Sequence, residues 1–377
     1  MEEIAFRNAR VVLGDEVIHG GILMRDGLIA AIDHGGTATG IDLEGDWLLP
    51  GLVELHTDHL ESHYAPRPGV RWNSRAAVQA HDAQIATSGI TTVFDALRVG
   101  MDEDARIGTD DMRLLADTIA ACAALGLLRA DHFIHLRCEV SAPDALDGFA
   151  LFDDDPRFRL ASLMDHTPGQ RQFVTLESYR IYYQGKTGMS DEAFAEFVAR
   201  RQTQAGDWSL TNRQAIAERC KARGIVLASH DDATVEHVGE AVAQGVTLAE
   251  FPTTLEAARA SRDAGMKVLM GAPNVVRGGS HSGNISASQL ASEGLLDVLS
   301  SDYVPLSLLH AAFLLADAID GGMPAAMELV AAQPAATVGL GDRGRIEVGR
   351  RADVIRVAGG ADVPVVRSVW REGSRVA

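Results

Sequence analysis

The sequence predicts an α/β fold in which eight parallel strands alternate with helices, together with a small β-domain. Eight apolar, strand-like segments separated by helical stretches lie between residues 51 and 303, the pattern of repeated βα units. Short strand-like segments with turn signals occupy both ends of the chain instead. Because eight βα units over roughly 270 residues match a TIM-like (β/α)8 barrel in size, we expect that architecture. A doubly wound sheet is the alternative, but no G-x-G-x-x-G motif opens a helix here.

The two chain ends predict one small domain assembled from both termini. Turn residues such as Gly20-Gly21 and Asp26-Gly27 separate its strand-like segments. These segments are 4–12, 20–24, 28–32, 41–49, 352–357 and 363–369. We therefore expect residues 1–50 and 344–377 to form a β-sandwich-like domain, and residues 51–343 to form the barrel.

The barrel strands are expected in order along the middle of the chain. A helix is predicted at 215–223, where Thr211 begins a Thr-x-x-Gln capping box and Gly224 follows as the C-terminal cap. The eight predicted strands are 51–58, 89–97, 131–140, 160–166, 225–231, 247–252, 267–273 and 296–303.

Composition and charge narrow the function classes. The 377 residues carry a formal net charge of −18, which argues against nonspecific binding to nucleic acid or to an anionic membrane. Cys122, Cys138 and Cys220 form no C-x-x-C pair, which suits a reducing cytoplasm. The N-terminus shows no secretory signal, and no apolar run approaches the roughly 20 residues of a membrane span. We therefore expect a cytoplasmic protein, and whether it forms a homo-oligomer stays open.

The most informative motif is His56-Thr57-Asp58, which ends an apolar segment that begins with Pro50-Gly51. His56 and Asp58 share one face of the predicted strand, because strand side chains repeat every two residues. An imidazole and a carboxylate side by side form a metal chelate. They lie at the C-terminal end of the strand, where TIM barrels carry their active sites.

Most of the other predicted strands also end in residues that can bind a metal or move a proton. They are His135, Arg137 and Glu139 on strand three, Asp165 and His166 on strand four, His230, Asp231 and Asp232 on strand five, Glu250 on strand six and Asp302 on strand eight. Such residues at nearly every strand end predict a metal-dependent catalytic site.

The run Pro50-Gly51-Leu52-x-Glu54-x-His56 resembles the first barrel strand of the amidohydrolase superfamily, in which H-x-H or a variant binds a metal. The resemblance implies that His56, Asp58 and His230 are metal ligands. It also implies that Asp302 binds metal and acts as the catalytic residue, which accepts the proton of the attacking water.

The sequence departs from that superfamily pattern in its bridging ligand. The only lysines are Lys186, Lys221 and Lys267, and none lies where a carbamylated lysine on strand four would bridge two ions. We therefore expect a carboxylate bridge, with Glu139 as first choice and with Asp165 and His166 as open candidates.

Two other substitutions change the expected donor set. Asp58 replaces the usual second histidine, and Glu250 stands where many relatives have a histidine. The resulting mixture of imidazoles and carboxylates predicts zinc, with Mn²⁺ or Mg²⁺ as alternatives. The number of ions, one or two, stays open.

Cationic residues after the strands predict an anionic substrate. A Gly/Ser-rich turn with Arg and His, such as 277–283, offers both N–H groups and positive charge to phosphate oxygens. In a chain with net charge −18, such clustered cations indicate a small-molecule polyanion. The predicted substrate-binding residues are Arg67, Arg71, Arg137, His166, Arg171, Lys186, Arg277 and His281.

Three longer strings are ELHTD at 54–58, LMDHTPGQRQF at 163–173 and VRGGSHSGN at 276–284. They resemble the PhnM family of phosphonate metabolism, diphosphatases of the carbon–phosphorus lyase pathway, and the resemblance runs from about residue 45 to the C-terminus. It implies hydrolysis of α-D-ribose 1-methylphosphonate 5-triphosphate to the 5-phosphate and pyrophosphate. His59 stands where asparagine is expected in that family.

Two alternatives stay open. The first is an amidohydrolase that acts on a C–N bond, such as a deacylase, a cyclic amidase or a deaminase, although the arginines are excessive for a small neutral amide. The second is a noncatalytic phosphonate-binding or assembly subunit, which would have no need of a proton acceptor such as Asp302.

Overall fold

The computed structural model describes residues 3–35, 38–100, 107–171, 176–280, 283–358 and 363–377. Its strands are β1 (Glu3–Arg7), β2 (Ala9–Val12), β3 (Val17–Arg25), β4 (Leu28–Asp33), β5 (Ile41–Asp42), β6 (Trp47–Pro50), β7 (Leu52–Thr57), β8 (Ile90–Val99), β9 (Asp131–Glu139), β10 (Phe158–Met164), β11 (Val226–His230), β12 (Leu248–Glu250), β13 (Lys267–Gly271), β14 (Val298–Ser300), β15 (Val354–Ala358), β16 (Val365–Arg371) and β17 (Ser374–Arg375).

Helices separate most of the strands of the central region. They are α1 (Leu60–Tyr64), α2 (Ser74–Thr87), α3 (Thr109–Ala124), α4 (Ala145–Ala150), α5 (Leu176–Thr187), α6 (Asp191–Arg223), α7 (Val235–Ala243), α8 (Leu255–Asp263), α9 (Ala272–Val276), α10 (Ala287–Ser292), α11 (Ser307–Ala316), α12 (Gly322–Met327) and α13 (Gln333–Thr337). A π-helical segment, Glu328–Ala332, joins α12 to α13.

Both ends of the chain contribute to one sheet, in the order β17–β16–β15–β6–β2–β3–β1–β5, with β4 paired to β3. The strand β15 runs antiparallel to β6, with Ile355 opposite Leu49, which joins the C-terminal part of the sheet to the N-terminal part. Apolar residues from both ends share one core, in which the rings of Phe6 and Trp370 meet edge to face with their centroids 4.7 Å apart. The predicted small β-domain built from both termini is confirmed.

The eight strands predicted for the central region all form. They pair in chain order, β7 to β14, as one parallel sheet. The sheet is nearly closed, because Thr57 at the end of β7 forms a parallel bridge with Asp302, two residues beyond β14. The TIM-like barrel is therefore confirmed, and its strands place the residues that follow them at the end where such barrels carry active sites.

The chain divides into two compact units. One comprises Met1–Asp95, Thr118–Phe133 and Met270–Ala377, and the other comprises Ala96–Asp117 and Ile134–Leu269. The domain boundaries predicted at residues 50 and 344 stay a prediction.

The helix α6 begins much earlier than the sequence predicted. Ser190 caps it by accepting a hydrogen bond from the Ala193 amide, and the helix then continues for 33 residues. Thr211 therefore lies inside α6, and the predicted capping box is wrong. The next residue, Asn212, also lies inside the helix, and its side-chain amide donates at 2.9 Å to the carbonyls of Val140 and Ala142.

The predicted end of this helix is confirmed. Gly224 closes it with a φ of 65°, a left-handed conformation that glycine adopts without strain. None of the helices in the described ranges is long and apolar enough to cross a membrane.

Candidate metal centre and active site

In the first unit, His56 lies at the end of β7 with only 1% of its surface exposed, and Asp58 follows half-buried before α1. Glu54 holds this strand end in place. One of its carboxylate oxygens accepts from the His56 amide at 2.6 Å, and the other accepts from the Ser301 amide. Burial raises the pKa of Glu54 to about 7, against the effect of these hydrogen bonds. The buried carboxyl group therefore ties the first barrel strand to the eighth.

Asp302 follows β14 in the left-handed region, with a φ of 54°. Its amide donates to the His56 carbonyl at 3.1 Å, and its carbonyl accepts from the Thr57 hydroxyl at 2.7 Å. A left-handed residue other than glycine costs on the order of 1 kcal/mol or more. The two hydrogen bonds hold that conformation and place the predicted proton acceptor beside His56.

At two strand ends of the second unit, a left-handed residue is again held by a backbone hydrogen bond. Asp231 follows β11 with a φ of 57°, and its amide donates to the Glu250 carbonyl at 2.9 Å. Phe251 follows β12 with a φ of 53°, and its amide donates to the Leu269 carbonyl at 2.8 Å. Strained residues of this kind cluster at functional sites, because the surrounding structure must hold them.

Glu139, at the end of β9, is fully buried and orients His166. Its Oε2 accepts from His166 Nδ1 at 2.6 Å, and its Oε1 accepts from the His166 amide at 3.1 Å and from the Ser141 hydroxyl at 2.7 Å. Burial opposes ionisation, but the positive charges of His166, Arg201 and Arg98 hold the pKa of Glu139 well below its usual range. Because Nδ1 of His166 is hydrogen-bonded to Glu139, Nε2 is the nitrogen that can bind a metal or a substrate.

His166, His230 and Asp231 offer ligand atoms that lie within 4.8 Å of one another. Asp231 Oδ2 is 3.5 Å from His230 Nε2 and 3.9 Å from His166 Nε2. The second imidazole is also backed by a carboxylate, since His230 Nδ1 lies 3.2 Å from Glu250 Oε2. Two imidazoles and a carboxylate, each imidazole oriented by a further carboxylate, are a donor set that fits a divalent ion such as zinc.

The predicted bridging residue Glu139 contacts His166 in this arrangement, so its role as a metal ligand stays a prediction. Asp165, the other carboxylate that the sequence left open, accepts from the Thr167 hydroxyl and amide. His230, predicted as a ligand, lies in the group that could hold an ion.

Arg171, predicted to bind substrate, is 4% exposed and pairs with Asp232 and with Glu240, the latter at 3.3 Å. Arg213 of α6 is buried nearby, and burial together with the charge of Arg171 lowers the pKa of Arg213 to about 10. The charge of Arg171 is therefore already matched by two carboxylates.

The other predicted substrate-binding residues are dispersed. Arg67 and Arg71 are exposed in the loop after α1, and Arg277 is exposed at the C-terminal cap of α9. Arg137 is half-buried within β9. Lys186 belongs to α5, but its side chain lies outside the described residues, as does all of His281.

Comparison with known proteins identifies the family. The sequence is 46% identical over 373 residues to the α-D-ribose 1-methylphosphonate 5-triphosphate diphosphatase of Escherichia coli (strain K12), an alignment that covers 98% of this chain and 99% of that protein. The chain belongs to the α-D-ribose 1-methylphosphonate 5-triphosphate diphosphatase family. No family model matches the sequence.

Solved structures show that this diphosphatase family member has the amidohydrolase fold. An amidohydrolase matches with a TM-score of 0.64 and 16% identity, covering 99% of this chain and 98% of that one. The dihydropyrimidinase of Brevibacillus agri matches with a TM-score of 0.62 and 12% identity, over 99% and 95% of the chains. The N-acetylglucosamine-6-phosphate deacetylase of Pasteurella multocida matches with a TM-score of 0.64 and 12% identity, covering 99% of each chain. At these identities the likeness concerns the fold alone.

Sequence reasoning missed one residue at the candidate centre of this diphosphatase family member and left another without a role. Asp231 was named at the end of strand five but not as a ligand, and its left-handed φ cannot be seen in a sequence. Arg201 lies in α6, with Nη2 3.8 Å from Glu139 Oε1. The sequence did contain a pattern that points to Arg201. It continues the buried stripe of Phe194, Phe197 and Val198 at helical spacing, and a charged residue in such a stripe needs a buried partner.

Proposed function

We propose that this chain is a cytoplasmic, metal-dependent diphosphatase that hydrolyses α-D-ribose 1-methylphosphonate 5-triphosphate to the 5-phosphate and pyrophosphate in phosphonate catabolism. The observation that carries the proposal is the 46% identity, over 98% of the chain, to the E. coli diphosphatase of that name. The strand-end imidazoles and carboxylates support it, because they fit a divalent ion.

Metal would be held at the ends of barrel strands, as one ion or two. We assign His56, Asp58 and Asp302 as ligands in the first unit, and Glu139 and His230 as ligands in the second unit, with zinc as the metal. When bound, a divalent ion polarises a phosphoryl oxygen and lowers the pKa of water. His166 and Asp231 are the further ligands that the geometry beside His230 supports.

Asp302 would accept the proton of the attacking water. Its backbone is fixed by the hydrogen bonds to His56 and Thr57, so the carboxylate is positioned before substrate arrives. Phosphoryl transfer requires positioning and charge neutralisation more than covalent catalysis. The proposed base and the bound cations would supply these two contributions.

The triphosphate and the phosphonate would be bound by cations on several loops. Arg67, Arg71 and Arg277 are exposed, whereas Arg171 is buried against Asp232 and Glu240, and this exposure favours the three arginines as phosphate-binding groups. Arg171 would instead fix Asp232 beside the His230 strand end. Arg137, His166, Lys186 and His281 complete the proposed substrate-binding set.

The competing function, hydrolysis of a C–N bond, has only fold-level support. The dihydropyrimidinase and the deacetylase resemble this chain at 12% identity, and one fold serves many reactions.

The proposal is tested by following pyrophosphate release from protein that has been stripped of metal with a chelator and then reloaded with Zn²⁺, Mn²⁺ or Mg²⁺. Dihydrouracil and N-acetylglucosamine 6-phosphate serve as matched C–N substrates. We expect metal-dependent pyrophosphate release from the ribose triphosphate and no turnover of the other two. Turnover of either C–N substrate without pyrophosphate release would favour the alternative.

A further inference from the structure

A second group of histidine and aspartate side chains lies in the first unit, and the proposed reaction does not use it. His81 of α2, Asp95 of β8 and His132 of β9 offer ligand atoms within 4.8 Å of one another, and none of the three is more than 1% exposed. His81 Nε2 is 2.8 Å from Asp95 Oδ1, and His132 Nδ1 is 2.7 Å from Asp95 Oδ2. Two imidazole nitrogens thus converge on one buried carboxylate.

The group has the supporting contacts that metal-binding histidines usually have. His132 Nε2 lies 3.3 Å from Asp82 Oδ1, and the same oxygen accepts from the amides of Arg129 and Ala130 at 2.8 and 3.0 Å. A carboxylate on the far nitrogen of an imidazole fixes the ring and raises its basicity as a ligand. Asp82 is therefore placed to orient His132 toward an ion.

The structure shows which nitrogen of His81 faces the group. Nδ1 of His81 is buried and has no hydrogen-bond partner among the described residues, whereas Nε2 contacts Asp95. Nε2 is therefore the nitrogen that His81 offers to this group.

Two more imidazoles lie next to His81. The ring centroids of His63 and His59 are 5.9 and 6.3 Å from that of His81, and both rings are half-buried. Their Nε2 atoms each lie 3.1 Å from Gln84 Oε1. A row of imidazoles therefore leads from partly exposed positions to the buried group.

We propose that His81, Asp95 and His132 bind a divalent transition-metal ion such as Zn²⁺, in addition to the ion at the strand ends, with His63 as the nearest imidazole for a fourth ligand. Ligand atoms around tetrahedral zinc lie about 3.3 Å apart when each is about 2.0 Å from the ion. The contacts of 2.7 and 2.8 Å to Asp95 need to open by only about 0.5 Å. Because the ligands come from α2, β8 and β9, the ion joins three elements, and the site is structural.

The test is the zinc content of the full chain. Wild type, His81→Gln, Asp95→Asn and the control His310→Gln, a half-buried histidine of α11, are grown in zinc-replete medium and analysed by mass spectrometry for zinc per chain. Circular dichroism checks that each variant is folded. We expect the two cluster variants to hold one equivalent less than wild type and His310→Gln. Equal zinc in all four would overturn the proposal and leave only a hydrogen-bonded network.

A second measurement keeps the cluster intact and does not depend on whether its variants fold. The double variant Asp58→Ala/His230→Ala removes proposed strand-end ligands, and after chelator treatment it is titrated with Zn²⁺. Retention of one tight equivalent supports the buried site, whereas no tight binding overturns it. Pyrophosphate release is measured in parallel, so that failure of the proposed activity is distinguished from failure of this site.

Discussion

At the residue scale, the proposed chemistry depends on carboxylates whose backbone geometry is fixed by hydrogen bonds within the protein. Asp302 is the most direct case, because its left-handed backbone is held by hydrogen bonds to His56 and Thr57. We expect Asp302→Asn to lower kcat by at least about 10²-fold with little change in KM, since the amide cannot accept the proton of water. Steady-state kinetics of pyrophosphate release measure this.

The matched control for that variant is Asp317→Asn, an exposed carboxylate at the C-terminal cap of α11. Like Asp302→Asn, it removes one carboxylate charge, but at a position away from the barrel strand ends. It should therefore keep wild-type kinetics. If Asp302→Asn also stays near wild-type kcat, Asp302 is not the base, and Asp165 becomes the next candidate.

A second prediction at the residue scale concerns the metal affinity of a Glu139 variant. The hydrogen bond of Glu139 to His166 Nδ1 is 2.6 Å long, and supporting carboxylates of this kind are worth roughly 10- to 100-fold in metal affinity. We expect Glu139→Gln to weaken Zn²⁺ binding by that factor in a competition titration with a chelator. The exposed Glu177→Gln on α5 is the control. Unchanged affinity in Glu139→Gln would mean that Glu139 neither binds the ion nor supports His166 as a ligand.

Some of these residues could be proposed from the sequence, because their positions follow from the few residues around them. His56, His230 and Asp302 stand at the ends of short apolar runs, and strand alternation assigns their face directly. Asp231 lies in one group with His166 and His230, and its backbone has a positive φ. A positive φ at an aspartate cannot be predicted from the residue pattern. The group of His81, Asp95 and His132 joins residues 14 and 37 positions apart, and no motif has that spacing.

At the element scale, the buried side chain of Asn212 joins α6 to the residues that follow β9. Asn212 donates to the carbonyls of Val140 and Ala142, and its replacement by alanine leaves both acceptors without this donor. We expect Asn212→Ala to lower the free energy of unfolding by about 2–3 kcal/mol in urea denaturation. Gln202→Ala, exposed on the same helix, should change it by less than about 0.5 kcal/mol. A comparable loss in both variants would argue against this role of Asn212.

The start of α6 was not predicted because the local pattern that suggested it has two interpretations. A Thr-x-x-Gln pattern at 211–214 suits a capping box, but it is also compatible with a helix interior. The helix is capped at Ser190, about twenty residues earlier, and the pattern at 211–214 holds no information about that cap. The strands were easier, because a short apolar run that ends in polar residues has few other interpretations.

The buried network that joins α2, β8 and β9 predicts a dependence of stability on pH in chelator-treated protein. Burial opposes the charged imidazole, but Asp95 and Asp82 raise the pKa of His132 to about 9. Because the folded state holds this proton more tightly than the unfolded state, the stabilisation is complete below about pH 6.5. It is lost as the pH rises to about 9.

We therefore expect the free energy of unfolding to fall between pH 7 and pH 9, by at most about 3 kcal/mol at roughly 1.4 kcal/mol per pKa unit. Asp95→Asn should flatten this profile, because the main favourable charge on His132 is removed. A variant with the same slope as wild type would show that another group titrates in that range.

At the scale of the whole molecule, one chain combines a sheet built from both termini with an eight-stranded parallel barrel. The identity of 46% to the E. coli diphosphatase covers nearly the entire chain, so it includes every predicted strand end. We propose that these strand ends carry out metal-dependent cleavage of a phosphoric anhydride, although structures of similar fold at 12% identity include a dihydropyrimidinase and a deacetylase.

Phosphorus NMR of the products formed from α-D-ribose 1-methylphosphonate 5-triphosphate by the zinc-loaded protein tests that claim most directly. The spectrum distinguishes pyrophosphate from orthophosphate and follows the phosphonate in the same sample. We predict that the triphosphate signals are replaced by equal amounts of pyrophosphate and the 5-phosphate, with the phosphonate intact, and that chelator-treated protein gives no reaction. Release of orthophosphate, or an unchanged substrate spectrum with zinc-loaded protein, would contradict the account.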